Sequence, residues 1–443
     1  MTERIGRTGL LAAIVAGAVL APAAAAVAVT PGGGQDPVRA LERAAHPLRS
    51  TEPGGHTADL RALGASIGDA KVVGLGEATH GSHEFFAMKE RVFRHLVEKK
   101  GFRTFALEVS WPAGLEIDDY LRTGEGDVRE VTKAALANSP WDREEFVSLI
   151  AWMRDHNRRN PGRMVRFIGD DVGAPKVSDA FFGRVTGYVE RDHPDSLRRL
   201  DELYTGLRPI DDAFAYLRKP LAERQRLAAQ ARQALELVGG LEGKGTDAFE
   251  LAVQNARSIS QTATFLAFDL TDRASLPQAQ RFRDQVMADN TAWWQRRTGG
   301  KVLVSAHNTH VAYVAANPAL YPKTQGAYLR DALGEGYLPI GFTFGRGSFL
   351  ATDGRLGGEW KKFTVGTAEH GMNEYTLDKV RHRDYYLDLR TAPAAARAWL
   401  DVARPTRGIG IAYPFPPENV ALGRSFDVLV HLDAISEATH RRP

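Results

Sequence analysis

The sequence predicts an α/β fold: a mainly parallel central sheet flanked by helices, with a helical insertion subdomain. Three observations predict it. Short runs rich in β-branched and other apolar residues recur at Val72 to Leu75, Thr104 to Val109, Met164 to Ile168, Val302 to Ser305, Leu338 to Phe344 and Phe426 to His431, the composition of buried parallel strands. Segments with helical periodicity separate most of them, as in βαβ units. Between about Asp192 and Asp272 the strand runs stop, and Leu-, Ala-, Gln- and Arg-rich stretches of helical period take over.

In chain order, Arg4 and Arg7 precede an apolar stretch from Leu10 to Leu20 and a small-residue run from Pro22 to Ala28, the layout of a cleaved secretory signal. Residues 1–28 are therefore expected to be a signal peptide and 29–36 a Gly-rich tether. The first part of the α/β domain is expected over 37–191, the helical insertion over 192–275 and the second part over 276–443. Secretion follows from this reading, with no stable membrane span after cleavage. The insertion either walls the cleft or adds helical packing alone.

Composition narrows the function. The 443 residues are 43% hydrophobic, enough for a large core, and carry a formal charge of only +3. The basic residues form no stripe interleaved with aromatics, so nucleic acid is not an expected partner. The absence of cysteine removes thiol nucleophiles and thiolate metal sites. A monomer acting on a small molecule is expected.

The helix after the first strand has Ser82 as its cap and Phe85, Val92 and Leu96 on one face. Lys89 shares that apolar face, whereas Glu84, Arg91 and His95 fall on a face expected to be solvated. A second helix is expected to begin near Ser139 and Pro140, with Phe146, Ile150 and Met153 on its stripe.

Polar residues gather where the strands end. Glu77 and His80 follow the first, Glu108 closes the second, Asp170 and Asp171 follow the third, and His307 and His310 follow the fourth. Ligands of open α/β sheets bind beyond these carboxyl ends. The convergence of His, Glu and Asp suits an acid/base site. His80 is the candidate base, with Glu77 or Glu108 orienting its ring. His307 or His310 stabilises negative charge or protonates a leaving group, and Lys89 adds a positive charge. Plainer readings stand beside these: Glu108 as an ion-pair partner of Lys89 or an arginine, Asp170 or Asp171 as a helix cap, His83 as a helix-start residue, and His431 as a core histidine.

Two motifs are set aside. Gly64-Ala65-Ser66-Ile67-Gly68 matches the G-x-S-x-G elbow, but a helix precedes the serine and a strand follows, the reverse of what that elbow needs. Gly74-x-Gly76 lacks the third glycine of a dinucleotide loop, so no nicotinamide cofactor is expected. His80-x-x-His83 and His307-x-x-His310 keep a metal-dependent hydrolase as an alternative. A non-catalytic secreted protein that binds a small molecule, haem or metal is the other. The favoured reading has no cofactor and no metal.

Gly74-Leu75-Gly76-Glu77-Ala78-Thr79-His80-Gly81, then Glu84-Phe85-Phe86, Gly101-Phe102, Ala106-Leu107-Glu108, Arg283-Asp284, Met287-Ala288, Asn290, Trp293 and Ala306-His307-Asn308-x-His310 resemble the erythromycin esterase family, from about residue 60 to about 435. The resemblance implies a metal-independent hydrolase of esters, typified by opening of a macrolactone ring, on an α/β core with a helical subdomain. It implies His80 as the base that activates water, and it maps the family's glutamates to Glu77 and Glu108 and its later histidines to His307 and His310. The family often has arginine where this chain has Lys89, which keeps the charge but loses the planar fork; Arg91 is the nearby alternative. No covalent acyl-enzyme is expected.

Overall fold

The computed structural model describes residues 36–173, 176–354 and 358–441. The expected signal peptide and all but the last residue of the tether lie outside the described residues. In chain order the strands are β1 (His46–Pro47), β2 (Val72–Leu75), β3 (Phe102–Ser110), β4 (Arg166–Asp171), β5 (Lys301–Ser305), β6 (Tyr337–Asp353), β7 (Trp360–Val365), β8 (Tyr385–Asp388), β9 (Arg404–Thr406), β10 (Ala412–Tyr413), β11 (Glu418–Val420) and β12 (Val428–Ile435). Ten of them form one sheet in the order β1-β8-β12-β6-β2-β5-β3-β4, with β7 and β10 also paired to β6. The run from β12 to β4 is parallel; within this sheet the antiparallel pairs are β1–β8, β8–β12 and β6–β7, and β9 and β11 form a separate antiparallel pair. The expected α/β class is what the chain adopts.

The period of two along each strand splits the core between the faces of the sheet. Val72, Ala106, Val302 and Val304 face one layer of helices. Val73, Leu75, Phe105, Leu107 and Leu303 face the other. Burial on both sides explains why these strands read as near-continuous apolar runs. Between β4 and β5 the named elements are all helices, including Asp179–Asp192, Leu221–Gly240, Asp247–Phe265 and Leu276–Thr298. No helix among the described residues is long and apolar enough to cross a membrane.

Three local expectations need correcting. The helix expected from Ser139 begins at Glu144 and runs to Arg159. Ser139 Oγ instead bonds back to the Leu136 carbonyl and accepts from the Trp141 amide, closing the preceding helix in a turn. Arg91 and His95 are buried, not solvated. The segment around residues 53–60 covers that face of helix His83–Lys100, where Arg91 is held bidentately by Asp59 and His95 contacts Thr57 Oγ1 at 3.1 Å. Glu84 accepts from the Ser436 amide and hydroxyl, both at 2.6 Å. In each case a segment distant in sequence supplies the cover, which helical periodicity cannot register. The strands β7 and β8 were also not expected; β7 carries Lys361 and Lys362 and lies at the sheet's margin, where apolar alternation is weak.

Candidate active site

Sheet order makes the site. Strands β2, β5, β3 and β4 are successive neighbours, so their carboxyl ends bring Glu77, His80, His307, His310, Glu108, Asp170 and Asp171 to one edge. The loops after β2 and β5 are bonded directly, the Asn308 amide to the Glu77 carbonyl at 2.9 Å. The Asn308 side chain clasps the backbone of Phe342 through both its oxygen and its nitrogen. Gly76 lies under that clasp and Gly81 under the Leu350 carbonyl; a Cβ at either position would collide. Close backbone approach therefore accounts for both glycines.

His80 Nδ1 is 2.5 Å from Glu77 Oε1, and Lys89 Nζ is 2.5 Å from Glu77 Oε2 and 2.9 Å from Ser305 Oγ. Glu77 is fully buried. Burial raises its carboxyl, but Lys89 and His80 together hold it below the ordinary value. An ionised carboxylate only accepts, so His80 Nδ1 carries the proton and the Nε2 lone pair is left without a protein partner among the described residues.

His307 takes the opposite tautomer. Its Nδ1 accepts from the Thr309 amide at 3.3 Å as the cap of a short helical turn, so Nε2 carries the hydrogen. That Nε2 is buried and has no partner among the described residues. Burial pushes the imidazole down to about 3, so the ring is neutral near pH 7. The two rings lie 5.2 Å apart between centroids. A lone pair at His80 Nε2 and an N–H at His307 Nε2 thus lie on neighbouring rings.

Glu108 serves the second loop. Its Oε2 accepts from the His307 backbone amide at 2.8 Å, and its Oε1 receives Arg283 Nη2 at 2.8 Å and lies 3.3 Å from His310 Nε2. Burial opposes its charge, but His310, Arg283 and the hydrogen bond from the His307 amide hold it well below the carboxylate range. The ion-pair reading of Glu108 holds with Arg283 as the partner; Lys89 pairs instead with Glu77. Asp171 does not cap a helix but binds Arg283 at 2.8 and 2.6 Å. Asp170 does not cap one either. It accepts from Gln325 and Thr291, and burial beside Asp171 raises it well above its ordinary value. The helix that follows is capped by Ser178.

His310 is clamped between Asp284 Oδ1 at 2.9 Å and Glu108, which raise it against the pull of burial. Both its nitrogens are used. His83 turns away to Glu145 and Glu52 as the first residue of its helix. The two histidine pairs are therefore not aligned as ligand pairs, and among the described residues no three His, Asp or Glu side chains group in a way that could hold a metal ion. His431, between Thr343 and Asp378, is a satisfied core histidine. Arg91 is committed to Asp59 and does not stand in for Lys89.

Arg283, Asp284, Ser305 and Gln325 were not singled out as site residues. The signal for the first two was an adjacent charged pair inside a helix whose next turn, Met287-Ala288, is apolar.

A family model described as erythromycin esterase matches residues 97–435. The chain belongs to the erythromycin esterase family. Membership makes it a hydrolase acting on ester bonds. The matched span starts beyond Glu77 and His80, so their place beside Glu108 and His307 rests on the geometry above. Erythromycin esterase type II of Escherichia coli is 25% identical over 325 residues, 67% of this chain and 74% of that protein. A solved Bacillus cereus structure is 30% identical with a TM-score of 0.84, covering 93% of this chain and 100% of that one. A mutant erythromycin esterase solved in an open conformation shares the fold, at 17% identity and a TM-score of 0.68 over 88% of this chain and 97% of that one.

Proposed function

We propose that this esterase cleaves a carboxylic ester or lactone of a natural product, macrolide-like in the sense of its named relatives, by direct attack of water. The observation that carries the reading is the pair of opposed tautomers. His80 offers a lone pair at Nε2 with Glu77 behind it, and the neighbouring His307 ring offers an N–H at Nε2. Water between His80 and a substrate carbonyl gives its proton to Nε2 as its oxygen attacks carbon. Glu77 stabilises the imidazolium that forms.

The carbonyl oxygen becomes an alkoxide and receives the His307 N–H, a neutral donor that cannot lose catalytic competence by deprotonating near pH 7. Collapse of the tetrahedral species returns the proton from His80 to the leaving alkoxide. Glu108 and Lys89 act through others: Glu108 fixes the His307 backbone and the orientation of His310, and Lys89 holds Glu77 ionised. Export through residues 1–28 belongs to the same proposal, as does a small-molecule substrate met outside the cell.

The test is hydrolysis of a panel of macrolides and aryl esters by wild type and His80→Ala, with and without chelator. Chelator-resistant turnover that is lost in the variant is expected. Turnover that survives His80→Ala, or that chelator abolishes, overturns the mechanism.

A further inference from the structure

Beside His80 lies a second set of unpaired donors that the hydrolytic reading does not use. The indole of Trp141 packs in a T-shaped arrangement against the His80 ring, 5.3 Å between centroids, and its only polar group, Nε1, is buried without a partner among the described residues. Two residues on, Arg143 is 5% exposed, and both its Nε and its Nη2 are buried and without a partner among the described residues. Its Nη1 bonds only to the Asp142 carbonyl, and its guanidinium lies 5.1 Å from the Trp360 ring centroid.

Asp142 and Glu145 lie close enough to favour the Arg143 charge, but each is bound elsewhere. Asp142 is bound to Arg441 Nε at 2.6 Å, and Glu145 gives Oε1 to His83 and the Thr439 amide. Neither forms an ion pair with Arg143 among the described residues. A buried guanidinium without a carboxylate is costly, and so is each unmade hydrogen bond. Such a cost persists where a ligand repays it.

The position of Arg143 fits a ligand at the site. A tight turn, Arg143 amide to Trp141 carbonyl at 2.8 Å, holds the two side chains on one short loop. Trp360 pairs with Thr352 across β6 and β7, the Thr352 amide bonds to Ile411, and the neighbouring Gly410 carbonyl accepts from the His80 amide at 3.0 Å. Arg143 is thus framed by elements that reach the His80 loop from two sides.

We propose that Trp141 and Arg143 form a substrate subsite for a carboxylate carried by the ester beside its scissile bond. The guanidinium supplies the charge and the indole N–H a second donor. This rests on His80 as the hydrolytic centre, but its test does not need turnover.

Calorimetric titration of the full chain with N-phenylglutaramate and with N-phenylpentanamide compares an anionic and a neutral amide probe of equal length. The anionic probe is expected to bind at least about tenfold more tightly. Arg143→Gln is expected to abolish that preference, Arg143→Lys to restore part of it, and Trp141→Phe to lower it. Raising salt from about 0.05 to about 0.5 M is expected to shrink it in the unaltered protein. Equal affinity for the two probes in wild type, including no binding of either, overturns the subsite, as does a preference that survives in Arg143→Gln. Failure of the hydrolytic reading has its own signature, ester turnover retained in His80→Ala.

Discussion

The Glu77 carboxylate binds His80 Nδ1 through one oxygen and Lys89 Nζ through the other, each at 2.5 Å. One buried anion therefore sets the tautomer of the base and neutralises the ammonium that keeps it ionised.

Glu77→Gln puts an amide at that junction. Lys89 loses its counter-charge while remaining buried, and the amide no longer stabilises an imidazolium. We expect kcat to fall by about 10²- to 10⁴-fold and stability by about 3–5 kcal/mol, the cost of an uncompensated buried charge. Steady-state kinetics and urea unfolding report the two effects separately; unchanged kcat would remove Glu77 from the mechanism.

His307 makes two expectations at once. Replacing it with Phe deletes the donor and should lower kcat by about 10²- to 10³-fold, whereas Gln, which keeps an N–H, should lose less. Its folded-state value is depressed from 6.5 to about 3, so the folded state favours the neutral ring. The stability tied to this group is present above about 6.5 and is lost as pH falls through 6.5 toward 3. Denaturant midpoints across that window should fall less steeply in His307→Phe than in wild type.

His83 carries the opposite sign. Hydrogen bonds to Glu145 and Glu52 raise it to about 9, so its contribution is complete below 6.5 and disappears as pH rises through about 9. Thermal melts of wild type should decline over that range by a few degrees, roughly what a contribution on the order of 1 kcal/mol produces. A His83→Gln protein that showed the same decline would show that another group is responsible.

Arg283 joins Glu108 to Asp171 in the dry interior. Arg283→Met leaves two buried carboxylates without their cation and should cost about 3–5 kcal/mol. A urea midpoint within error of wild type would contradict this account of the junction.

Much of this arrangement was legible in the chain. The apolar runs marked β2 to β6 and β12 because strands buried on both faces need no polar alternation, and the residues just beyond them are where an open sheet binds ligands. His80, Glu77 and Lys89 could be assigned to one site because they lie on one strand-loop-helix unit, but whether Glu77 or Glu108 faces His80 and Lys89 stayed open in the sequence. Arg91 and His95 obeyed the same helical spacing and were still misplaced, since what covers their face is the segment carrying Thr57 and Asp59. Trp141 gave no signal at all: its approach to His80 depends on a turn closed by Ser139.

Local periodicity and motifs read in order were enough to locate the strand ends, the inward lysine and the family. The tertiary structure decided which carboxylate serves which cation. Glu77 takes Lys89 and Glu108 takes Arg283 because β5 is inserted between β2 and β3. In a low-dielectric interior a charge is stabilised only by the partner it touches, and touching is set by strand order, which no local pattern encodes.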